Sequence, residues 1–317
     1  MIYRLFCLLI CRIGLVGFRN LWNRQVFFKP SSIVKFLTKT FGWLAFGTCL
    51  CGGIISATAQ ERLTHTLPNF FDPRLAADKP DTENLTGLRF VMTDDFPPFS
   101  YRDGKELISG YHVDMARKIC EILEQACTLK LVVWDDIPAM LIQKRADISL
   151  AGLKRSSELR DTLDFSHVYM RIPGRFVARR DKVDSLYPET GFAATRIGTV
   201  GNSAHAAFIK NHLPDSLAVE FAKPRLMREA LVEGKIDAIF GSALNLSFWL
   251  NDEPGIECCQ FVGGPYLESR YFGHGLSAAI SKDRQDILQA VNYALLRMHQ
   301  TGALTELYLR YFPIGLF

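Results

Sequence analysis

Apolar positions in this chain follow two periods that alternate along it. Residues 88–92 form an apolar run of strand length, and a Pro-rich loop follows at 94–100. Between 113 and 123 the apolar residues are Val113, Met115, Ala116, Ile119, Ile122 and Leu123, a helical spacing. Strands are predicted at 129–133 and 148–151, with a helix at 137–143 between them. After a strand at 176–178 the chain turns polar in "RRDKVDSLYPETGFAATR", a candidate boundary. A second set repeats the alternation, with strands at 196–200, 218–221 and 236–240 and helices at 204–211, 225–232 and 244–250. A strand at 275–280 and helices at 286–299 and 304–311 close the pattern. Strands alternating with helices predict parallel, helix-covered sheets. The second set sits inside the first, an order that suits two α/β lobes joined by more than one crossing.

The 317 residues are 48% apolar and 22% charged, globular values that leave room for two domains. The net charge of +4 is unevenly placed. Residues 1–59 hold seven Lys and Arg and no Asp or Glu, so the remainder has 30 basic residues against 33 acidic. The basicity belongs to the N-terminus, and no nucleic-acid partner is expected. That segment reads as an export leader. Lys29, Lys35 and Lys39 precede an apolar run at 41–55, and Ala57-Thr58-Ala59 supplies a small-x-small cleavage pattern. The run is shorter than the roughly 20 residues of a spanning helix, and an uncleaved anchor is the alternative. A further apolar run at 5–16 extends the leader. Residues 60–87 are polar and turn-rich, and read as an extended arm that Phe70 and Phe71 would anchor.

Four of the eight cysteines lie in the leader; the others are Cys120, Cys127, Cys258 and Cys259. Export would place them in an oxidising compartment. Cys120 ends a helical pattern and Cys127 begins a strand, so that corner brings them together as a disulfide or leaves two buried thiols. For the adjacent pair Cys258 and Cys259, a mutual bond, reduced thiols and other pairings stay open. No Cys/His spacing points to a metal or other cofactor.

The segment "ADISLAGLKRSSELRDTLDFS" (146–166) is unusual, because an apolar strand runs straight into a small, basic, hydroxyl-rich loop. With "TDDFPPFSYRDGKELISGYHVDMARKIC" (93–120), "WDDIPAMLIQKRADISLAGL" (134–153), "RIGTVGNSAHAAF" (196–208), "EGKIDAIF" (233–240), "YFGHGLSAAISKD" (271–283) and "TGALTELYLRYF" (301–312), it carries a resemblance. In order and spacing these pieces resemble the family 3 extracellular solute-binding proteins of ABC importers, over about 225 residues. The resemblance implies a periplasmic-binding-protein-like fold, two α/β lobes on a two-strand hinge with ligand enclosed between them. It divides the chain into a leader at 1–59, an arm at 60–87, lobe 1 at 88–179 plus 265–317, and lobe 2 at 180–264, with the hinge near Ala178-Arg179 and 264–266. It also implies a Cys120–Cys127 disulfide, like that of the family's basic-amino-acid binders.

The resemblance implies the following site. Phe96 covers the ligand, or else is a core phenylalanine. Trp134 stands at the second cleft wall, or packs between lobes. Ala151, Gly152 and Lys154 take places where the family offers backbone groups and small or hydroxyl side chains; the lysine is a departure. An arginine grips the ligand carboxylate, because a guanidinium forks onto it through two charge-assisted hydrogen bonds. Ungapped alignment puts Leu159 at that position, so Arg160 is the expected residue and Arg155 its competitor. Ser203 and Ala204 open a helix whose free N–H groups would meet a carboxylate, with Ser203 also a candidate N-cap. His205 is either a ligand contact or structural. Ser242 replaces an Asp that commonly pairs with the ligand's ammonium. Glu268 or Asp95 would have to take that role, or the ligand lacks an ammonium; Lys154 and Ser242 together point toward an anionic or dicarboxylic ligand.

The expected function is the periplasmic substrate-binding subunit of an ABC importer. It would bind an amino acid or related small carboxylate by lobe closure, and work as a monomer with membrane permease subunits. The alternatives are an accessory protein whose site has decayed, and an enzyme like the family's relatives that eliminate water and carbon dioxide from cyclic acids, with Glu158, His205 or Lys154 as acid or base.

Overall fold

The computed structural model describes residues 68–71, 78–82, 85, 87–186 and 192–317. The predicted leader, its cleavage point at Ala59 and most of the arm lie outside them. Among the described residues no helix is long and apolar enough to cross a membrane.

Two five-stranded sheets organise the rest. The first has the order β5-β1-β6-β13-β7, from β1 (Leu88–Met92), β5 (Cys127–Leu131), β6 (Ile148–Ser149), β7 (Leu163–Phe165) and β13 (Ala279–Ser281). The second has the order β10-β9-β11-β8-β12. Its strands are β8 (Gly174–Arg179), β9 (Arg196–Val200), β10 (Leu217–Phe221), β11 (Ala238–Ser242) and β12 (Cys259–Tyr266). A small meander of β2 (Asp95–Phe96), β3 (Ser100–Arg102) and β4 (Ile108–Ser109) follows β1, so the Pro-rich loop carries short pairing of its own.

Each sheet is only half parallel. In the first, β1 runs parallel to β5 and β6, while β13 runs antiparallel to β6 and β7. In the second, β9 is parallel to β10 and β11, while β8 is antiparallel to β11 and β12. The antiparallel strands are those next to the crossings between sheets, since a chain that leaves one lobe and returns cannot keep a single direction. The crossings run through 166–173 and 267–278, and an isolated antiparallel bridge pairs Met170 with Leu276 where they meet. Ala178, Arg179 and residues 264–266, the expected hinge, lie within β8 and β12 of the second sheet. Burial explains the difference: β8 is buried from Gly174 through Ala178, which suits an inner strand of a sheet.

The helix Tyr111–Leu123 buries Val113, Met115, Ala116, Ile119 and Leu123 against the first sheet, the predicted face. It starts at Gly110, with φ +130°, where an added Cβ would stand 2.3 Å from the Phe99 carbonyl oxygen; only glycine fits such a close approach. It ends on Glu124 in the left-handed region, and Cys120 then bonds to Cys127 at the start of β5. Cys258 and Cys259 are bonded to each other, the pairing left open above. Phe71 is buried against His299, with ring centroids 5.0 Å apart, and so anchors the arm.

Candidate ligand-binding site

The loop after β6 leaves the middle of the first sheet, between β1 and β13. The Ala151 N–H donates to Ser149 Oγ at 3.2 Å. Gly152 takes φ +75°, and its Cα faces Phe96 and Leu276, where an added Cβ would find Phe96 Cε1 at 3.5 Å and Leu276 Cδ2 at 3.4 Å. Ser156 then caps the short helix Ser157–Arg160 by accepting from the Leu159 N–H at 3.3 Å. A cavity of about 430 Å³ opens here, lined on one side by Gly152, Leu153, Lys154 and Arg155, and on the other by 269–276.

Arg155 is the arginine on this wall. One of its terminal nitrogens, Nη2, donates to the Ser166 carbonyl oxygen and to Ser277 Oγ. The guanidinium lies over the Phe165 ring, 5.6 Å from its centroid. Its Nε is buried without a partner, and Nη1 carries no hydrogen bond among the described residues. Burial lowers its pKa, and the Arg160 charge adds to that; an arginine stays protonated regardless. The arrangement holds a charged, partly unsatisfied fork at the cavity edge. Arg160, the expected gripping residue, is exposed on the short helix, and its carbonyl oxygen accepts from Lys282 Nζ at 3.0 Å. It does not line the cavity; the helix capped by Ser156 carries it past the wall.

The other expected residues divide into three groups. Gly152 and Lys154 line the cavity, and Phe96 flanks it, stacked on Phe99 at 4.7 Å. The Ala151 side chain is buried in the core beneath the sheet with Ile137 and Leu163. Trp134, 43% exposed, lines a separate cavity of about 350 Å³ with Asp94, Asp95 and Arg102. The residues on the second sheet do not line the main cavity. Ser203 caps the helix Ala204–His212, accepting from the Ala206 N–H at 3.1 Å and donating to the Val200 carbonyl at 2.6 Å. Ala204 is exposed beside it. Ser242 ends β11 opposite Gly174.

Phe272 links these last residues to the cavity it lines. His205, next to Ala204, stacks on Phe272 at 5.1 Å, and burial pushes the His205 pKa down to about 4. Gly174, the partner of Ser242, faces the same ring, with Phe272 Cζ 3.0 Å from where a Cβ would stand. The second-sheet candidates therefore lie one aromatic ring from the cavity.

The segment 271–276 was part of the family resemblance, but none of 269–276 was expected to line the site. This wall holds Arg270, Tyr271, Phe272 and His274 between β12 and β13. Its signal is "FGHG": Gly273 and Gly275 both have positive φ, so the backbone swings out around His274. Two glycines around a histidine mark an exposed loop of that kind.

Fold and site define a two-lobed solute-binding protein. The family model for bacterial extracellular solute-binding proteins, family 3, matches residues 88–314, and the chain belongs to that family. Among curated proteins it is similar to the putative ABC transporter arginine-binding protein 2 of Escherichia coli, 26% identical over 71% of this chain and 90% of that protein. The L-arginine-binding protein of Pseudomonas aeruginosa is 24% identical over 77% of this chain and 92% of its own length. Among solved structures, an ancestral cyclohexadienyl dehydratase superposes with a TM-score of 0.60 at 20% identity, covering 76% of this chain and 98% of that one. At that identity the last shows a shared fold.

Proposed function

We propose that this protein is the substrate-binding subunit of an ABC importer, exported by its leader and acting as a monomer outside the cytoplasmic membrane. It takes an amino acid or related small carboxylate between its lobes, and the closed form is what the permease subunits recognise. The observation that carries this reading is Arg155. Its guanidinium is held from behind by Ser166 and Ser277 with part of its fork open at a cavity edge where the Gly152 backbone is exposed. A planar fork fixed in that way suits bidentate capture of a carboxylate. Lobe 1 is the first sheet with its helices and lobe 2 the second, so closure swings Ser203 and Ser242 toward Arg155 about the Met170–Leu276 crossing. Closure needs contacts to both lobes at once. The curated relatives are binding proteins by name, which favours binding over catalysis.

The test is thermal unfolding of the purified chain, freed of co-purified ligand, against amino acids, dicarboxylates, opines and polyamines. A ligand at 100 times its dissociation constant adds about 2.7 kcal/mol. Arg155→Met is expected to weaken that ligand by roughly 30-fold or more, the cost of removing one partner of a desolvated charge pair. Silence across the panel would favour an accessory protein with a decayed site. Turnover of a cyclic acid would replace the binding reading with an enzyme.

A further inference from the structure

The cavity is lined by charge of one sign. Lys154 and Arg155 stand on the wall after β6 and Arg270 on the wall between β12 and β13, where the His274 ring adds hydrogen-bonding nitrogens. No carboxylate is among its lining residues. The acids that were candidates for meeting an ammonium group line other cavities. Glu268 caps its own short helix by accepting from the Arg270 N–H at 3.3 Å, and lines a different cavity with Phe208 and Tyr266. Asp95 lines the cavity beside Trp134, together with Asp94, which Arg102 holds at 2.9 Å. At the end of β11 stands Ser242, a neutral hydroxyl.

The consequences for a ligand follow from elementary electrostatics. An ammonium brought into this cavity loses its water and meets no anion, a costly exchange. A ligand guanidinium or second ammonium would lie among Lys154, Arg155 and Arg270, where like charges repel. A carboxylate is favoured at either wall. The two walls come from separate chain segments that face one another, so a molecule anionic at both ends satisfies both. The rings of Tyr271 and Phe272 leave an apolar surface for the carbon skeleton between its ends.

We infer that the ligand is a small diacid without an ammonium group, a dicarboxylate or its hydroxy or keto relative, held between Lys154 and Arg155 on one side and Arg270 and His274 on the other. This rests on the binding-protein reading above and narrows it away from the cationic amino acids named for the curated relatives.

Calorimetric titration of the purified, ligand-free chain tests it, with succinate, malate and 2-oxoglutarate against L-glutamate, L-arginine and L-lysine. The expected result is 2-oxoglutarate binding at least tenfold tighter than L-glutamate, which differs from it at the amine-bearing carbon, and no heat with L-arginine. Lys154→Glu and Arg270→Glu, at two exposed positions, are each expected to keep the parent's unfolding midpoint without ligand and to weaken the diacid tenfold or more. L-arginine or L-lysine binding tighter than every diacid would overturn this inference and leave the importer reading standing. So would L-glutamate binding tighter than 2-oxoglutarate. Diacid binding unmoved by either reversal would place the ligand elsewhere and overturn it too. Silence with all six compounds would overturn this inference, while the importer reading would fall only with silence across the wider unfolding panel.

Discussion

Arg155 and Arg160 lie five residues apart, and their surroundings decide their roles. The first is pinned by Ser166 and Ser277; the second stands in solvent on a capped turn. Both were legible as candidates, because a basic, hydroxyl-rich loop after an apolar strand is uncommon. The choice between them was not, since it depends on partners 11 and 122 residues away. His112 shows the same dependence on distant partners. It is buried under Phe96 and Phe99, and its Nε2 pairs with the Tyr169 hydroxyl at 2.9 Å while Nδ1 has no partner. Burial pushes its pKa down to about 3. A base depressed in the folded state binds fewer protons there than when unfolded, so stability rises with pH between about 3 and the unfolded value near 6.5. Acidification from pH 6.5 to 5 is therefore expected to remove roughly 1.6 kcal/mol through His112 alone. Denaturant unfolding of the chain and of His112→Gln over that range checks it: the variant's stability, whatever its absolute value, should slope less with pH. Equal slopes would assign the acid sensitivity elsewhere, with His205 next in line.

Among the elements, the corner between the helix Tyr111–Leu123 and β5 was the most readable from sequence. The helical spacing that begins at Val113 and the two cysteines, Cys120 and Cys127, all fall within 15 residues. Closing so short a loop is worth roughly 2–3 kcal/mol on the chain-entropy model. Replacing both Cys120 and Cys127 by Ser is expected to lower unfolding free energy by about that much and to leave ligand affinity nearly unchanged, because the bond lies in the helix-to-β5 corner and not on the cavity wall. A loss of affinity instead would show that the corner positions the site. The sheet assignments were harder to read. Strand β8 has the apolar character of the rest, whereas β12, with Gly263, Gly264 and Pro265, was not expected as a strand, and their pairing joins Arg179 to Cys259 across 80 positions. Periodicity reports which face of a strand is buried; it is silent on which strand lies alongside. That is why parallel sheets were expected and the antiparallel strands were not, and why the hinge was expected near Ala178-Arg179 and 264–266 and not at the crossings 166–173 and 267–278.

At the scale of the whole molecule, lobe movement must pass through two crossings and past one more connection. Gly275, with φ +103°, lies where a Cβ would stand 2.6 Å from Val168 Cγ1 and 2.7 Å from the Met170 carbonyl oxygen, so the crossings touch backbone to backbone. The segment 314–317 adds a strap. Ile314 packs against the core of the second sheet, while Leu316 and Phe317 belong to the core of the first. Arg175 on β8 ties the strap down: it donates to the Leu316 carbonyl and to the Gly263 carbonyl, each at 3.1 Å, and lies 4.4 Å from the centroid of the Phe261 ring. The Leu316 N–H in turn donates to the Tyr308 hydroxyl at 2.6 Å. A strap fastened to both lobes limits how far they swing apart without a ligand, and matters less once a ligand holds them together. Arg175→Met keeps the apolar stem over Phe261 and removes both hydrogen bonds to carbonyls. The variant is expected to give a larger radius of gyration than the parent in ligand-free small-angle X-ray scattering, and the same radius when saturated with ligand. Its affinity should fall a few-fold, because closure then starts from a wider and more varied set of open states. Equal radii without ligand would mean that the Met170–Leu276 crossing alone sets the opening, with the strap following its motion passively.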